Sequence, residues 1–291
     1  MNFTLPADAA ERPIVVVGGG TLGRRIAAVF ASGGSDVKIA DLQEAQRTGA
    51  LEYVDTAVPE LTARLEAQGI SAKAGTVTAV PEVEAALAGA WMVVEAVPER
   101  LDIKRPLFGT LDRLADADAL LATNSSSYAS SNVIDEVTRP ERVFNMHFAM
   151  PPQSMAVELM SDGHTSEGLL DAVADELKRF GLAPFIAHAE STGFIFNRIW
   201  AAIKRESLAV VAAGVSTPED VDAIMRANMG IATGPFALMD QVGLDVVLDI
   251  EQHYADENPH LPKAPRTLLR EYIDAGKLGR KTGEGFYSYD K

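Results

Sequence analysis

A histidine and a glutamate, eleven residues apart, are the side chains best suited to proton transfer in this sequence. His147 lies in FNMHFAMPP, at the carboxyl end of a predicted strand, where open α/β sheets bind their ligands. Glu158 lies in the next predicted strand and can face it. A carboxylate on one imidazole nitrogen fixes the tautomer and makes the other nitrogen a stronger base. Such a pair can accept a hydroxyl proton during oxidation of an alcohol, or it can be purely structural.

Two further polar positions are candidates for ligand contact. The cluster TNSSS at 123–127 follows a predicted strand and can either cap a following helix or face a ligand. Asn197 falls within the apolar helical stretch GFIFNRI, where an amide is tolerated mainly when it has a partner outside the helix. A ligand contact and an interdomain hydrogen bond both fit that position.

A glycine-rich turn near the start of the chain predicts a dinucleotide site. Strand 14–17 leads directly into Gly18-Gly19-Gly20-Thr21-Leu22-Gly23, a G-x-G-x-x-G motif, and a helix follows. Gly18 permits the tight turn, Gly20 lets the backbone approach a pyrophosphate, and Gly23 lets helix and strand pack closely. The N–H groups where the helix begins, at Thr21 and Leu22, are expected to bind the negative charge.

Asp41 ends the next predicted strand, 18 residues beyond Gly23. Its carboxylate is expected to accept hydrogen bonds from both ribose hydroxyls and to repel a 2′-phosphate, which favours NAD over NADP. A tight structural turn beside a solvated aspartate is the alternative interpretation.

Hydrophobic patterning predicts the elements that position these residues. Through about residue 188, short β-branched runs alternate with helical stretches, as parallel α/β units require. Most of these runs are continuously apolar, which is typical of strands covered on both faces. The sequence therefore predicts an α/β fold, with a Rossmann-type, doubly wound, mostly parallel sheet over residues 1–190. The predicted strands are 14–17, 36–40, 76–80, 91–97, 120–123, 143–148, 156–159 and 183–187.

The pattern changes after Glu190. Apolar residues recur at largely helical spacing over 193–213, and Gly214 ends that run. Thr217-Pro218-Glu219-Asp220 then predicts an N-cap, a proline at the first helical position and a new helix. Residues 191–291 are therefore predicted to form a second, all-helical domain.

Composition excludes several classes of function. The 26 Lys and Arg against 41 Asp and Glu give a net charge of −15, which argues against nucleic acid and anionic membranes as partners. The absence of cysteine excludes disulfides, thiolate nucleophiles and Cys-ligated zinc. The N-terminal stretch lacks signal-peptide features, and no run approaches the roughly 18 apolar residues of a membrane span. We expect a soluble, cytoplasmic protein without a metal site.

Six motifs occur in the order typical of the 3-hydroxyacyl-CoA dehydrogenase family. They are EAVPERLDIKRPLFGTLD, TNSSS, MHF, STGFIFNRI, GPFALMDQVGLD and GKLGRKTGEGFY, and the resemblance extends from about residue 13 to 290. The resemblance implies an NAD cofactor and a 3-hydroxyacyl-CoA or 3-ketoacyl-CoA substrate in fatty acid metabolism. It also implies that the helical domain forms the contact of a homodimer.

The resemblance also implies roles for individual residues. His147 corresponds to the family's catalytic base and Glu158 to the partner that orients it. Ser126 and Asn197 correspond to residues that bind the substrate's hydroxyl and carbonyl oxygens. The positions that line the nicotinamide cofactor correspond to Glu99, Lys104, Ser126 and Lys281.

The sequence departs from the family pattern at three places. Glu158 comes one residue earlier than usual after His147, and Met150 replaces an asparagine. The segment 41–91 is shorter than the family's helical hairpin that covers CoA, which leaves Arg64 and Lys73 as its obvious phosphate-binding cations.

Two alternative functions remain open. The stretch GRRIAAVFASGG resembles the L-gulonate dehydrogenase and lambda-crystallin branch, which acts on free hydroxy acids. A non-catalytic NAD-binding protein is the other alternative, because a fold alone does not determine a function.

Overall fold

An eight-stranded sheet forms the centre of the first part of the chain in the computed structural model, which describes residues 3–71 and 73–289. The strand order is β3-β2-β1-β4-β5-β6-β7-β8, and only the β6–β7 pair among these strands is antiparallel. The predicted mostly parallel sheet is confirmed. The strands are β1 Ile14–Val17, β2 Val37–Ala40, β3 Val77–Val80, β4 Met92–Glu95, β5 Leu120–Thr123, β6 Val143–Met150, β7 Ser154–Met160 and β8 Ala183–Ala187.

The central strands are continuously apolar because both faces of the sheet are covered. Every residue of β1, β4 and β5 is buried. Val16 and Met92 belong to the core on one face, whereas Val15 and Val93 belong to the core on the other. Helices pack on these two faces, and they are α1 Thr21–Ser32, α2 Glu44–Ala67, α3 Val83–Leu87, α4 Leu101–Leu114 and α5 Leu169–Leu177.

Helix α5 comprises Leu169–Leu177 and packs beside β7 and β8. Helix α2, with 24 residues, is the long helix among the described residues of the segment 41–91, and only the short α3 follows β3. This part of the chain therefore has one long helix in place of the helical hairpin that the family resemblance implies. Among the described residues, no helix is both long and apolar enough to cross a membrane.

A buried ion pair fixes the beginning of β6, the strand that carries His147. The Arg142 guanidinium lies 2.8 Å from Asp112 Oδ1 and also donates to the Ala119 carbonyl oxygen. Asp112 accepts hydrogen bonds from the Thr138 hydroxyl at 2.6 Å and from its N–H at 2.8 Å. Burial alone would raise the pKa of Asp112, but the hydrogen bonds from Thr138 and Arg142 together outweigh burial and lower the pKa to about 2.

This lowered pKa predicts a loss of stability in acid. The ordinary value of 3.8 applies to the unfolded chain, so the stabilisation is fully present above about pH 4 and is lost as the pH falls through about 2. We expect Asp112→Asn to lower the free energy of unfolding by about 2 kcal/mol near pH 5. Urea unfolding of both proteins between pH 5 and pH 2 should show this difference shrinking as the pH falls. A difference that stays constant would contradict the assignment.

The contacts divide the chain into two units, Met1–Ile195 and Phe196–Lys291. The second unit is helical, as predicted, and the N-cap is confirmed because Thr217 Oγ1 accepts the Asp220 N–H at 3.2 Å. A short segment follows its last α-helix and contains a 3₁₀ turn at Arg280–Thr282 and the bridges Gly279↔Glu284 and Glu284↔Ser288. The helices are α6 Phe196–Ala212, α7 Pro218–Met229, α8 Pro235–Val242, α9 Leu244–Glu257 and α10 Ala264–Asp274.

The first helix of the second unit begins later than its apolar spacing suggests. Gly193 and Phe194 have positive φ angles of 72° and 54°, which are incompatible with a right-handed helix. Helix α6 therefore begins at Phe196, and residues 191–195 form a turn that belongs to the first unit. By its contacts, the turn at 191–195 thus groups with the first unit, which ends at Ile195.

Candidate active site

The glycine turn between β1 and α1 has no room for side chains at two of its positions. Gly18 has a φ of 106°, and a β-carbon there would lie 2.6 Å from the Ala96 carbonyl oxygen. A β-carbon on Gly23 would lie 1.8 Å from the Gly18 carbonyl oxygen, so the helix could not pack this closely. At Gly20, in contrast, the space is open to 4 Å, which suits the close approach of a phosphate.

Helix α1 begins beside this open space with its first N–H groups uncapped by any side chain. Its N-cap residue is Gly20, and the helix continues through Thr21 and Leu22 for 12 residues. Uncapped N–H groups and the positive end of the helix dipole favour an anion at this place.

Asp41 lies against the same turn. Its Oδ2 accepts the Gly19 N–H and its Oδ1 accepts the Gln43 N–H, each at 2.8 Å. These two bonds fix the carboxylate beside a cavity of about 800 Å³ that is also lined by Gly18 and Gly20. The volume is within the range of small-molecule sites. The glycine turn, the uncapped helix and the aspartate therefore fit the adenosine and pyrophosphate of NAD.

A buried network of charges lies at the carboxyl ends of β4 and β5. Glu95 has no exposed surface, and its carboxylate accepts hydrogen bonds from Thr123 Oγ1 at 2.7 Å and from the Val97 N–H at 2.8 Å. Lys104 is 1% exposed, and its Nζ lies 2.7 and 2.9 Å from the two Glu95 oxygens. Lys104 also lies 3.1 Å from Glu99 Oε2, so its charge is shared between two carboxylates.

Glu99 connects this network to the serine cluster after β5. Its Oε1 accepts hydrogen bonds from the Ser125 hydroxyl and from the Ser127 N–H. Ser125 Oγ in turn accepts the Tyr128 N–H at 2.8 Å. Only a three-residue 3₁₀ turn follows, so the cluster positions a loop and does not cap a long helix. Ser126, which lies between Ser125 and Ser127 in the sequence, is exposed.

The loop that carries Ser126 is attached to β6 on both sides of His147. The buried Asn145 side chain accepts the Ser130 N–H at 2.6 Å and donates to the Tyr128 carbonyl oxygen at 3.0 Å. Asn124 Oδ1 accepts the Phe148 N–H at 2.9 Å. These bonds fix the serine loop relative to the strand that bears the histidine.

His147 and Glu158 are paired directly across the antiparallel strands β6 and β7. The distance from His147 Nδ1 to Glu158 Oε2 is 3.1 Å, and Glu158 Oε1 accepts the Ile195 N–H at 2.9 Å. The short interval between the two residues is accommodated by an irregular register between Phe148 and Met150. A carboxylate at Nδ1 favours the tautomer with hydrogen on Nδ1, which leaves Nε2 as the basic nitrogen.

The remaining two candidate residues belong to the second unit. Asn197 is half-buried in the first turn of α6. Lys281 is exposed, and its Nζ lies 2.5 and 2.6 Å from the oxygens of Asp245. This hydrogen bond holds the pKa of the Asp245 carboxyl below its usual range. The described residues contain no group of three or more His, Cys, Asp or Glu side chains arranged to bind a metal ion.

Several residues of the site were not identified from the sequence. Glu95 had a usable signal, because an acidic residue ending the fully buried strand MVVE needs a charged partner. Asn145 had a similar signal as an amide inside an apolar strand. The Ile195 N–H and the Phe194 ring had no signal in the sequence, because the backbone conformation at Phe194 decides where both of them lie.

Comparison with known proteins accounts for both units. The NAD-binding domain of 3-hydroxyacyl-CoA dehydrogenase matches residues 13–190, and the C-terminal domain of the same enzyme matches residues 193–289. The 3-hydroxybutyryl-CoA dehydrogenase of Clostridioides difficile is 33% identical over 284 residues, covering 96% of this chain and 99% of the relative.

Two further relatives extend the comparison. The 5-formyl-3-hydroxy-2-methylpyridine 4-carboxylate 5-dehydrogenase of Mesorhizobium japonicum is 32% identical, with 96% and 91% of the two chains covered. The crystal structure of (S)-3-hydroxybutyryl-CoA dehydrogenase from Ralstonia eutropha has a TM-score of 0.83 and 29% identity, and the match covers 96% of this chain and 99% of that chain. The chain belongs to the 3-hydroxyacyl-CoA dehydrogenase family and is an NAD-dependent oxidoreductase.

Proposed function

We propose that this enzyme oxidises a (3S)-3-hydroxyacyl-CoA thioester to the 3-ketoacyl-CoA and catalyses the reverse reduction. The observation that carries the proposal is the hydrogen bond of 3.1 Å between His147 Nδ1 and Glu158 Oε2. This bond leaves Nε2 as the atom that accepts the proton of the substrate's hydroxyl group. Because the pair is only slightly exposed, with 12% and 8% of the two side chains accessible, solvent competes little for that nitrogen.

The proton and the electron pair leave the substrate by separate routes. Bound NAD supplies the acceptor for the hydride that departs from C3. His147 Nε2 takes the hydroxyl proton, and the Glu158 carboxylate stabilises the imidazolium that results. In the reverse direction the imidazolium returns its proton to the ketone oxygen. Ser126 and Asn197 are proposed to bind the substrate oxygens, which aligns C3 for transfer.

Of the two cations expected to bind CoA phosphates, Arg64 lies on α2 and Lys73 is exposed in the segment that follows it. Arg64 and Arg25 both line a cavity of about 420 Å³ together with Tyr53. The Arg64 guanidinium donates to the Pro152 carbonyl oxygen at 3.3 Å, and the Arg25 guanidinium donates to the Pro151 carbonyl oxygen at 2.7 Å. Both guanidinium groups have further N–H groups that can bind a phosphate. This cavity supports a CoA thioester as substrate.

A rate series tests the substrate class. Oxidation of NADH should be followed with 3-ketoacyl-CoA substrates of increasing chain length and with the corresponding free 3-keto acids. We expect kcat/KM to be at least about tenfold higher for the thioesters, which corresponds to about 1.4 kcal/mol of added binding in the transition state. Equal or faster reaction of the free acids would overturn the CoA assignment and leave the chemistry in place.

A dehydrogenase of free hydroxy acids is the second candidate function. The single long helix α2, in place of a helical hairpin, favours it because less surface is available to cover CoA. The relative from Mesorhizobium japonicum, named for a pyridine carboxylate substrate, also favours it. A third candidate, a non-catalytic NAD-binding protein, would be supported by tight NADH binding without oxidation by any 3-keto compound.

We also propose that the enzyme is a cytoplasmic homodimer that acts in fatty acid metabolism. The second unit supports dimerisation because several of its large apolar side chains are exposed, among them Phe196, Ile199, Ile224 and Met229. Exposed apolar groups of this kind mark protein interfaces when they lie together. Sedimentation velocity should give about twice the mass of 31.1 kDa, and a monomer at micromolar concentration would contradict the proposal.

A further inference from the structure

The turn at residues 191–195 contacts both members of the His147–Glu158 pair. We propose that Phe194 is a positioning residue for the reaction, one that fixes the imidazole through its ring and the carboxylate through the conformation of its backbone. This inference rests on the proposed function for its meaning in catalysis. The contacts themselves lie entirely within the first unit.

The backbone at Phe194 is in a conformation that its side chain disfavours. Its φ of 54° makes it the only non-glycine residue with a positive φ in the described parts of the chain. A left-handed conformation is unusual for a bulky residue and persists only where surrounding contacts require it. Here the Phe194 N–H donates to the Ser191 carbonyl oxygen at 3.0 Å, and the Ser191 hydroxyl donates to the Phe194 carbonyl oxygen at 3.2 Å.

This conformation directs the next N–H group at the carboxylate. The Ile195 N–H donates to Glu158 Oε1 at 2.9 Å, and the other oxygen, Oε2, faces His147 Nδ1. If Phe194 adopted an extended conformation, the peptide that follows it would rotate and the Ile195 N–H would turn away from Glu158. The carboxylate would then lose a bond that sets which of its oxygens faces the histidine.

The ring of Phe194 lies beside the imidazole of His147. The ring centroids of His147 and Phe194 lie 5.2 Å apart, with 32° between their planes. Phe194 is 3% exposed and packs in a small cluster with Met160 and Ala187. A ring held in this position opposes rotation of the imidazole about its Cβ–Cγ bond, so Nε2 keeps one direction.

Glycine or asparagine would adopt this left-handed conformation with less strain than phenylalanine. The contact with His147 accounts for the use of an aromatic residue, since it is the feature that the smaller residues would lose. A purely structural role, in which Phe194 only fills space between Met160 and Ala187, predicts an effect on stability without a separate effect on turnover.

Two substitutions separate these roles. Phe194→Asn tolerates the left-handed backbone but removes the ring, and Phe194→Tyr retains the ring. Phe236→Leu is the matched control, because Phe236 is fully buried in the core of the second unit. We expect Phe194→Asn to lower kcat by about 10- to 100-fold, with the Kd for NADH within about threefold of the unsubstituted enzyme. Phe194→Tyr should keep kcat within about threefold, and this rescue would support positioning.

A spectroscopic measurement tests the contact without any substrate. The ring current of a phenyl ring at this distance shifts the His147 ring protons in the NMR spectrum, and Phe194→Asn should abolish that shift while Phe236→Leu leaves it. His147→Gln assigns the resonances. Unshifted His147 protons, or a loss of kcat in Phe194→Asn no larger than in Phe236→Leu, would overturn the inference. An enzyme that shows the shift but oxidises NADH with no 3-keto compound would instead overturn the proposed function.

Discussion

Replacing His147 with glutamine is expected to lower kcat on the order of 10²- to 10⁴-fold, the usual contribution of a positioned general base. Glutamine is close to histidine in size, but its amide accepts no proton at neutral pH. The hydroxyl proton would then lack a positioned acceptor beside the substrate, since the amide cannot replace the imidazole in this role. The glycine turn and Asp41 lie elsewhere on the sheet, so NADH binding should remain normal.

Steady-state kinetics and a fluorescence titration with NADH measure the two quantities separately. His188→Gln is a suitable control, because His188 is exposed in the same unit just after β8. The control should retain full turnover. Near-normal turnover in His147→Gln would remove this histidine from the mechanism, whereas loss of NADH binding would show that the substitution disturbs the fold of the first unit.

Replacing Lys104 with methionine is expected to lower the free energy of unfolding by about 3–5 kcal/mol. The substitution leaves Glu95 with no exposed surface and without its cationic partner, and it leaves Glu99 without one of its contacts. An uncompensated buried charge is costly because neither water nor another ion replaces the lost interaction. The volume of the side chain changes little, so the effect should come from the charge.

Chemical unfolding followed by circular dichroism measures this loss. Glu95→Gln combined with Lys104→Met removes both charges. The glutamine oxygen keeps an acceptor for the Val97 N–H and its NH₂ group can donate to Thr123 Oγ1, so the double variant should recover at least half of the lost stability. Arg100→Met is the control for an exposed pair with Asp102, because solvent screens such pairs and they contribute little to stability. A loss in Lys104→Met no greater than in the control would contradict a role for this buried pair.

Much of the sheet could be predicted because its strands are covered on both faces. Continuous apolar runs such as IVVV and LLAT are buried along their whole length, so hydrophobicity alone locates β1 and β5. The ends of β6 and β7 were less predictable. These two strands are antiparallel, and both extend beyond their predicted bounds to the pair formed by Met150 and Ser154. Backbone pairing in the hairpin, and not burial, extends the strands to these residues.

The individual members of the site were easier to predict than their contacts. His147 stands out by residue type and by its place at the end of a strand. Its direct register with Glu158 depends on the irregular pairing near Met150, which residue spacing does not encode. Lys104 was placed near the nicotinamide by resemblance, but the sequence does not reveal that its charge is shared between Glu95 and Glu99, since a strand and a helix must first pack together.

The amide that binds Glu158 belongs to Ile195, and the next residue begins α6. A hybrid enzyme made from two relatives therefore has a preferred crossover point. Joining the parents after Glu190 would combine the histidine and glutamate of one parent with the turn of the other. Joining them after Ile195 keeps His147, Glu158 and the amide that binds Glu158 from a single parent.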